Sequence, residues 1–225
     1  MSMTLLYQTH SPFARKALVF AHEVGLADQL NVVHHETSPT VRNDVVFTEN
    51  PLGKVPVLLR QGLAPIFDSD VICAYLDTLH EREPLIPAAS ERRWQALQVQ
   101  AVAQGIAEAG IAVRWETVRR PETLRYPALA EGYEAKLVAS YDWLEVSLDT
   151  GADLHVGHIG LATALAWLQF RDLPSFRSGR PRLSEWFDAF AQRPSMLATP
   201  LFGDTHDIRI QVPETRRDRA NFPSR

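Results

Sequence analysis

The first chemical feature of this sequence is a hydroxyl group at the start of a predicted helix. Thr9, His10 and Ser11 follow a short apolar run and precede Pro12, and proline favours the first position of a helix. Ser11 would therefore lie at the positive end of the helix dipole, where an anion is stabilised. Serines that precede helices more often act only as N-caps. The pattern leaves two roles open for Ser11, an anion site and a plain cap.

A second pair of polar side chains precedes another predicted helix. Asp68 and Ser69 come directly before a segment of helical periodicity at residues 70–79. A serine hydroxyl and the unpaired N–H groups of a helix start can together bind a carboxylate. An ordinary Asp or Ser cap explains the same pair, so chemistry alone does not assign it.

The elements that would position these residues indicate a small α/β layer structure. Apolar runs and helical periodicity alternate in the order strand, helix, strand, short helix, hairpin and helix. The elements are expected at residues 4–7, 12–24, 30–35, 40–47, 55–67 and 70–79.

Helical segments dominate the rest of the chain. Pro84 and Pro87 interrupt the alternating pattern. We predict an α/β domain over residues 1–81, an all-helical domain over residues 88–205 and a tail over residues 206–225. The later helices are expected at residues 89–119, 124–148, 161–170 and 183–191.

The composition is that of an ordinary globular protein. Of the 225 residues, 45% are hydrophobic and 22% are charged, and the formal net charge is −4. This charge argues against nucleic acid as the main partner, because no strongly basic face is expected. The basic cluster at residues 216–219 contains Asp218 and is interpreted as part of a solvated tail.

Cysteine usage and hydropathy argue against several further classes. Cys73 is the only cysteine, so an internal disulfide is impossible and a cysteine-based metal site is not expected. His155 and His158 have a spacing that suggests a metal ion, but with Asp153 as the nearby carboxylate we expect a loop role and no metal. We see no secretory signal and no apolar run of the ~20 residues that span a bilayer. A cytoplasmic protein without membrane contact is expected.

Three motifs, in this order, resemble a known family. Ser-Pro-Phe-Ala-Arg-Lys begins at Ser11, Asn-Pro-Leu-Gly-Lys-Val-Pro-Val-Leu begins at Asn50, and Phe-Asp-Ser ends at Ser69. With the proline linker and the helical second half, they are similar to the cytosolic glutathione S-transferases of the bacterial, serine type. The resemblance covers roughly residues 3–195. It implies a thioredoxin-like N-terminal domain followed by an all-α C-terminal domain.

The resemblance assigns glutathione-binding roles to two of these motifs. Pro56 would follow a cis peptide bond, and Val55 would pair its main chain with the cysteinyl backbone of glutathione, as an added strand does. Ser69 would hold the γ-glutamyl carboxylate, and Asp68 would lie near the γ-glutamyl amino group.

Further assignments concern the other end of the peptide and the second substrate. Lys54 and, more weakly, Arg42 are expected near the glycyl carboxylate of glutathione. Phe13 is expected beside the bound peptide. Ile111 and Trp115 are candidates for the wall of an apolar second-substrate pocket between the two domains.

The implied chemistry is activation of the glutathione thiol. A thiol with a pKa of about 8.5 is only ~3% thiolate at pH 7, and lowering that pKa by ~2 units raises the fraction to about three-quarters. Ser11 is the preferred hydrogen-bond donor to the sulfur, and Thr9 and Tyr7 are the alternatives. Cysteines occur in redox relatives at the positions of Ser11 and Ala14, so dithiol exchange is not expected here. Conjugation, isomerisation and glutathione-dependent peroxide reduction all stay open.

Two functions remain open after this comparison. The first is a glutathione transferase that directs the thiolate at a small hydrophobic electrophile, as in detoxification. The second is a non-catalytic binding or regulatory protein of the same fold. The joint presence of Ser11, Pro56 and the Asp68–Ser69 pair favours the enzyme. The resemblance also implies a homodimer, with glutathione as co-substrate.

One departure from the family concerns the buried helix of the second half. Relatives begin this helix with Ser/Thr-x-x-Asp, whereas this chain has Gly160-Leu161-Ala162-Thr163. Glycine is a serviceable N-cap, so we expect Gly160 to begin the helix with a loss of roughly a few tenths of a kcal/mol.

Overall fold

A four-stranded sheet forms the centre of the first half of the protein. The computed structural model describes residues 3–88 and 90–207. Its strands are β1 (Met3–Tyr7), β2 (Leu30–His34), β3 (Val57–Arg60) and β4 (Leu63–Phe67). They lie in the order β2–β1–β3–β4. β1 is parallel to β2 and antiparallel to β3, and β3 is antiparallel to β4.

Three helices accompany the sheet and complete its core. They are α1 (Pro12–Glu23), α2 (Asp44–Glu49) and α3 (Ser69–Leu76). Leu5 of β1 and Phe20 of α1 are fully buried in one cluster. Full burial of such a side chain contributes about 1.5–3 kcal/mol to the free energy of unfolding. This cluster therefore fixes α1, and with it the turn between β1 and α1, against the sheet.

Five α-helices between residues 90 and 207 form the second half. α6 is buried along almost its whole length and packs against both α1 and α4. It therefore joins the two halves. The helices are α4 (Glu91–Arg114), α5 (Pro127–Ser147), α6 (Val156–Phe170), α7 (Pro181–Ala191) and α8 (Pro194–Leu197).

The predicted fold class is the observed one, a thioredoxin-like α/β half followed by an all-helical half. Some strands and helices begin or end at other residues than predicted, because the backbone there has an unusual conformation. β3 begins at Val57, because Val55 and Pro56 form a bend with a cis peptide bond between them. The helix predicted at 89–119 begins at Glu91, and its last turn, Trp115–Arg119, is π-helical.

The expectation that Gly160 begins the buried helix is wrong. α6 begins earlier, at Val156, with His155 as its N-cap. Nδ1 of His155 accepts a hydrogen bond from the His158 backbone N–H at 3.3 Å, as a serine oxygen would at this position. The expected loop role of the two histidines is therefore wrong as well, since both belong to the start of α6.

Close packing explains why α6 starts with a small residue. A Cβ atom at Gly157 would lie 2.4 Å from the carbonyl oxygen of Ala96 on α4. Only glycine allows the two helix backbones to approach this closely. The start of α6 is thus fixed by its contact with α4 as well as by its cap.

The part of the chain that the structure describes lacks two further features. None of its helices combines the length and apolar character needed to cross a membrane. Within the same residues, no three His, Cys, Asp or Glu side chains are grouped so that they could hold a metal ion. The basic cluster at 216–219 lies outside the described residues.

Candidate functional site

Three predicted site segments meet where β1 and β4 end and β3 begins, and this end of the sheet is named here the sheet edge. Val57, the first residue of β3, lies opposite Leu6 of β1 and Phe67 of β4. Residues paired in this way lie about 5 Å apart. β1 ends one residue after Leu6, β3 begins at Val57 and β4 ends at Phe67. The segments that adjoin these three strand ends are therefore neighbours. They carry Ser11, Val55 and Ser69.

Ser11 is the N-cap of α1. Its backbone is extended (φ −95°, ψ 123°), and its Oγ accepts a hydrogen bond from the Ala14 backbone N–H at 3.2 Å. The residue is 8% exposed. Because the oxygen is the acceptor in this bond, the hydroxyl hydrogen can be donated to an anion in front of the helix. The capping and thiol-activating roles predicted for Ser11 are chemically compatible.

The two alternative hydroxyl groups have different surroundings. Tyr7 is buried at the end of β1 within the N-terminal core. Burial raises the pKa of Tyr7 to about 12, although the positive charge of Arg15 acts in the opposite direction. Thr9 is half-buried, and its carbonyl oxygen accepts a hydrogen bond from the Phe202 backbone N–H at 3.3 Å. Thr9 therefore contacts the end of the described chain.

The bend at Val55 and Pro56 leaves main-chain groups unused. The peptide bond between these residues is cis, as predicted, and both residues are buried. Among residues 3–88 and 90–207, none forms a backbone hydrogen bond with Val55. The N–H and C=O of Val55 are therefore available to an extended peptide along this edge.

Asn50 fixes the turn that leads into this bend. Its side chain donates to the Lys54 carbonyl oxygen at 2.8 Å and accepts from the Leu52 N–H at 3.0 Å. Gly53 has a φ of +61°, and a Cβ atom there would lie 2.2 Å from the Phe47 ring. The turn therefore requires Asn50 and Gly53 of the Asn-Pro-Leu-Gly-Lys motif, independently of any role of the motif in binding.

Asp68 and Ser69 form the start of α3. Asp68 is its N-cap with a φ of 71°, and Oδ1 of Asp68 accepts from the Asp70 N–H at 2.7 Å. A positive φ is uncommon for a residue other than glycine and occurs often at binding sites. Ser69 is 2% exposed, and its Oγ has no hydrogen-bond partner in the part of the chain that the structure describes. The Ser69 hydroxyl group is therefore an exception to the rule that buried polar groups have hydrogen-bond partners.

Arg42 and Lys54, the two cations expected near the glycyl carboxylate, lie on the protein surface. Arg42 is exposed and pairs with Asp44 at 2.6 Å. Its guanidinium lies 3.9 Å from the centre of the Phe47 ring, and that ring packs against Gly53. Lys54 is exposed directly after this glycine. Both cations are thus connected to the turn before Val55.

The cleft between the two halves begins at Phe13. Of the predicted pocket residues, Ile111 and Trp115 do not line this cleft but lie farther along α4 and its π-helical turn. Trp115 stacks against the Arg119 guanidinium at 4.0 Å. Their assignment to the second-substrate pocket stays a prediction. The cleft is lined by Pro12, Phe13, Lys16, Ala103, Gln104, Ala107, Gly160, Thr163 and Ala164.

A buried ion pair that sequence reasoning missed links the two helix starts. Lys16 is 3% exposed, and its ammonium group contacts the Asp70 carboxylate. Asp70 directly follows Ser69, so the pair ties α1 to the start of α3. A lysine three residues after Phe13 on the inner face of α1 was the available signal, since buried lysines require a partner.

Residues 199–207, named here the C-terminal segment, cross the loop that carries Ser11. Asp204 pairs with Arg114 and Arg171. Asp207, which was predicted to belong to the tail, pairs with Arg119 at 2.7 Å. The side chain of Asp207 also accepts hydrogen bonds from Ser38 and Thr40, which follow β2. The segment therefore connects the loop region after β2 to the helical half.

Both halves of the chain match models of one family. Residues 10–79 match the N-terminal domain of glutathione S-transferase. Residues 116–189 match the C-terminal domain of glutathione S-transferase.

Similar proteins are found among solved structures and curated sequences. A glutathione transferase family member from Pseudomonas fluorescens Pf-5, with bound glutathione, is 33% identical with a TM-score of 0.86, over 90% of this chain and 100% of that chain. A structure from the same strain with bound S-(propanoic acid)-glutathione is 34% identical with a TM-score of 0.81, over 88% and 100% of the two chains. The uncharacterized GST-like protein YibF of Escherichia coli K12 is 28% identical over 203 residues, 88% of this chain and 98% of YibF.

These matches agree with the geometry of the site. The cis peptide bond before Pro56 is the one that the family resemblance implied. Both halves match in the expected order, and a relative of one-third sequence identity extends over nine-tenths of the chain. The protein therefore belongs to the glutathione S-transferase family.

Proposed function

We propose that the protein is a glutathione transferase in which Ser11 activates the glutathione thiol for attack on a small electrophile. The Ser69 hydroxyl carries the proposal, because it is buried at the start of α3 without a partner among the described residues. An unsatisfied buried polar group costs about 1–3 kcal/mol. A carboxylate at this helix start would satisfy the hydroxyl and benefit from the helix dipole.

In this proposal glutathione lies along the sheet edge. Its γ-glutamyl carboxylate accepts hydrogen bonds from Ser69 and from N–H groups at the start of α3, and Asp68 meets its amino group. The cysteinyl main chain pairs with Val55 as an added strand. The glycyl carboxylate lies toward Lys54 or Arg42.

The sulfur then lies at the start of α1, beside Phe13. The Ser11 hydroxyl donates a hydrogen bond to the thiolate, and the helix dipole adds to its stabilisation. Both effects favour the charged form of the sulfur and lower the thiol pKa. The thiol proton is released to water, and the thiolate attacks the electrophilic carbon to form a carbon–sulfur bond. In a substitution the bond to the leaving group breaks and that group departs with its electron pair. In an addition the π electron pair of a carbon–carbon double bond moves to the neighbouring carbon, which then takes up a proton from water.

The ligands of the relatives support a glutathione site in this chain. The two Pseudomonas fluorescens structures contain glutathione and S-(propanoic acid)-glutathione, and they are 33% and 34% identical to this protein. The second ligand carries a substituent on the sulfur, which is consistent with a transferase site.

Further features of the enzyme are proposed from the family. We expect a homodimer, and exposed apolar side chains such as Leu63 on β4 and Val71 on α3 are suited to its interface. We expect a small hydrophobic electrophile as second substrate, a cytoplasmic location and a role in detoxification.

A non-catalytic glutathione-binding protein is the second candidate. The hydrogen bond from the Ala14 N–H to Ser11 Oγ favours it, because a plain N-cap makes the same bond. In that function Ser69 and Val55 would bind glutathione, but Ser11 would leave the thiol pKa unchanged.

The deciding experiment is an ultraviolet difference titration of the protein with glutathione across pH. A saturable thiolate band that persists well below pH 8 is expected for the transferase. Saturable binding by calorimetry without that band would identify the binding protein. Absence of binding in both measurements would contradict the proposed glutathione site.

A further inference from the structure

Three arginines, named here the arginine cluster, are buried beside the loop that carries Ser11. Arg114 ends α4, Arg119 lies in the π-helical turn and Arg171 follows α6, and each keeps 9% or less of its side chain exposed. Burial lowers the pKa of Arg171, and the charges of Arg114 and Arg119 lower it further. Arg114 and Arg119 are thus close enough to repel the Arg171 guanidinium. Such a group of buried cations requires anions.

Two carboxylates of the C-terminal segment supply anions to the cluster. Asp204 Oδ1 accepts from Arg171 at 2.9 Å and from Arg114 at 3.2 Å. Asp207 accepts two hydrogen bonds from Arg119, each at 2.7 Å. Paired donors of this kind are suited to carboxylates. The protein therefore already uses the arginine cluster to bind carboxylate groups.

The cluster offers more donors than these two carboxylates use. Nε and Nη2 of Arg171 are buried and have no hydrogen-bond partner among the described residues. In the same part of the chain, neither ring nitrogen of the buried His10 has such a partner, although Glu36 lies 3.6 Å from Nε2. Buried polar groups normally have partners. The unused donors of Arg171 therefore point to a ligand that is anionic or accepts hydrogen bonds.

The arginine cluster is connected to the loop that carries Ser11, in front of which the sulfur is proposed to lie. Trp167 Nε1 donates to the His10 carbonyl oxygen at 2.9 Å, which holds the end of α6 against the loop before Ser11. Arg171 follows that helix end directly. The C-terminal segment crosses the same loop at Thr9. A substituent on a sulfur at Ser11 can therefore extend toward the arginine cluster.

We propose that the second substrate is an electrophile with a carboxylate group, which binds to the arginine cluster while its reactive carbon faces the sulfur. This inference rests on the proposed glutathione site and replaces the expected hydrophobic electrophile with an anionic one. Asp204 occupies the position of the substrate carboxylate and is displaced by it, since 66% of its side chain is exposed. Asp207 is 13% exposed and stays paired with Arg119.

The test compares two conjugates of nearly equal size that differ by one charge. S-carboxymethylglutathione and S-carbamoylmethylglutathione are titrated into the full chain by calorimetry, with glutathione as the reference. We expect the carboxymethyl conjugate to bind about tenfold more tightly, as one charge-assisted contact predicts. Equal affinities for the two conjugates, with glutathione still bound, would overturn the inference and leave the proposed function intact. Loss of all three binding signals would overturn both.

Variants test whether the arginine cluster binds a substrate carboxylate or only holds the C-terminal segment in place. Asp204→Asn removes the competing carboxylate, so we expect about threefold tighter binding of the carboxymethyl conjugate and no change for the carbamoylmethyl conjugate. Unchanged or weaker binding of the carboxymethyl conjugate would show that Asp204 only fastens the segment, and would overturn the inference. Arg171→Gln should abolish the charge preference. Arg177→Gln is the matched control, because Arg177 pairs with Asp188 at the surface, and it should keep the preference.

Discussion

Val57 and Phe67 lie opposite each other where the β3–β4 pair ends, and this pairing brings the two halves of the proposed glutathione site together. Val55 lies two residues before Val57, and Ser69 lies two residues after Phe67. A slip of one residue in this pairing would turn one of the two segments away from the other. The site therefore depends on the register of the sheet and not on either loop alone.

Ser69→Ala should weaken glutathione binding without destabilising the fold. The lost hydrogen bond to a carboxylate is worth about 1.5–3 kcal/mol, which corresponds to a decrease in affinity of roughly 10- to 150-fold. The hydroxyl has no partner among the described residues, so its removal should leave the free energy of unfolding unchanged or slightly raised. Calorimetry and urea unfolding measure the two effects. Ser140→Ala on α5 is the control, and a loss of stability in Ser69→Ala with normal affinity would contradict the assignment.

Ser11→Ala should raise the pKa of the bound thiol while glutathione affinity stays within a few-fold of normal. The variant also loses the cap to Ala14, which costs about 1 kcal/mol of stability. The thiolate band of bound glutathione, followed across pH, measures the first effect. An unchanged band would assign Ser11 to capping alone, and Thr9→Val and Tyr7→Phe would then be the variants to measure.

Gly53→Ala should destabilise the protein more than Gly62→Ala. Both glycines have positive φ values, +61° and +73°, so both variants lose about 1 kcal/mol through the backbone. A Cβ at Gly53 also meets the Phe47 ring at 2.2 Å, whereas nothing lies within 4 Å of one at Gly62. We expect an additional loss of about 1–3 kcal/mol at Gly53 in urea unfolding. Equal losses would show that the Phe47 ring moves aside without cost.

Stability should fall as the pH decreases from about 6.5 to about 4. Burial lowers the pKa of His155 and of His158 to about 4 in the folded protein, whereas histidine in an unfolded chain titrates near 6.5. Between these values the unfolded chain binds more protons, so the free energy of unfolding decreases with decreasing pH. We expect a loss on the order of 2 kcal/mol between pH 7 and pH 5, after allowing for solvent screening.

The variant His155→Asn tests this origin of the pH dependence. Asparagine keeps an N-cap oxygen for the His158 N–H but does not titrate. We expect the decrease in stability between pH 7 and pH 5 to become about half as large, with little change at pH 7. The same decrease in the variant and in the wild type would exclude His155 as its source.

Local patterns in the sequence predicted the order of the strands and helices, and the family resemblance supplied the binding roles of the candidate site residues. The apolar run before Thr9 and the proline at position 12 predicted β1 and α1, because strands and helix starts have strong local signals. The cis bond between Val55 and Pro56 was implied by the family resemblance of the Asn50 motif and not by its local pattern. Histidine is seldom an N-cap, so its pattern gave no signal for the start of α6.

Contacts between residues far apart in the chain could not be predicted in this way. The Lys16–Asp70 pair spans 54 residues, and Arg119 contacts Asp207 across 88 residues. Both pairs arise from the packing of whole helices and of the C-terminal segment, for which the sequence has no periodic signal. For the same reason the sequence did not predict the arginine cluster.

The hydrogen bond from the Trp167 indole to the His10 carbonyl oxygen also has a spectroscopic consequence. Trp167 is 2% exposed in the core of the helical half, yet its one polar atom contacts the loop before Ser11. The emission of an indole depends on the polarity and hydrogen bonding around it. The chain has five tryptophans, so a variant that keeps Trp167 as its single tryptophan would report a change in this hydrogen bond through its emission, without any added label.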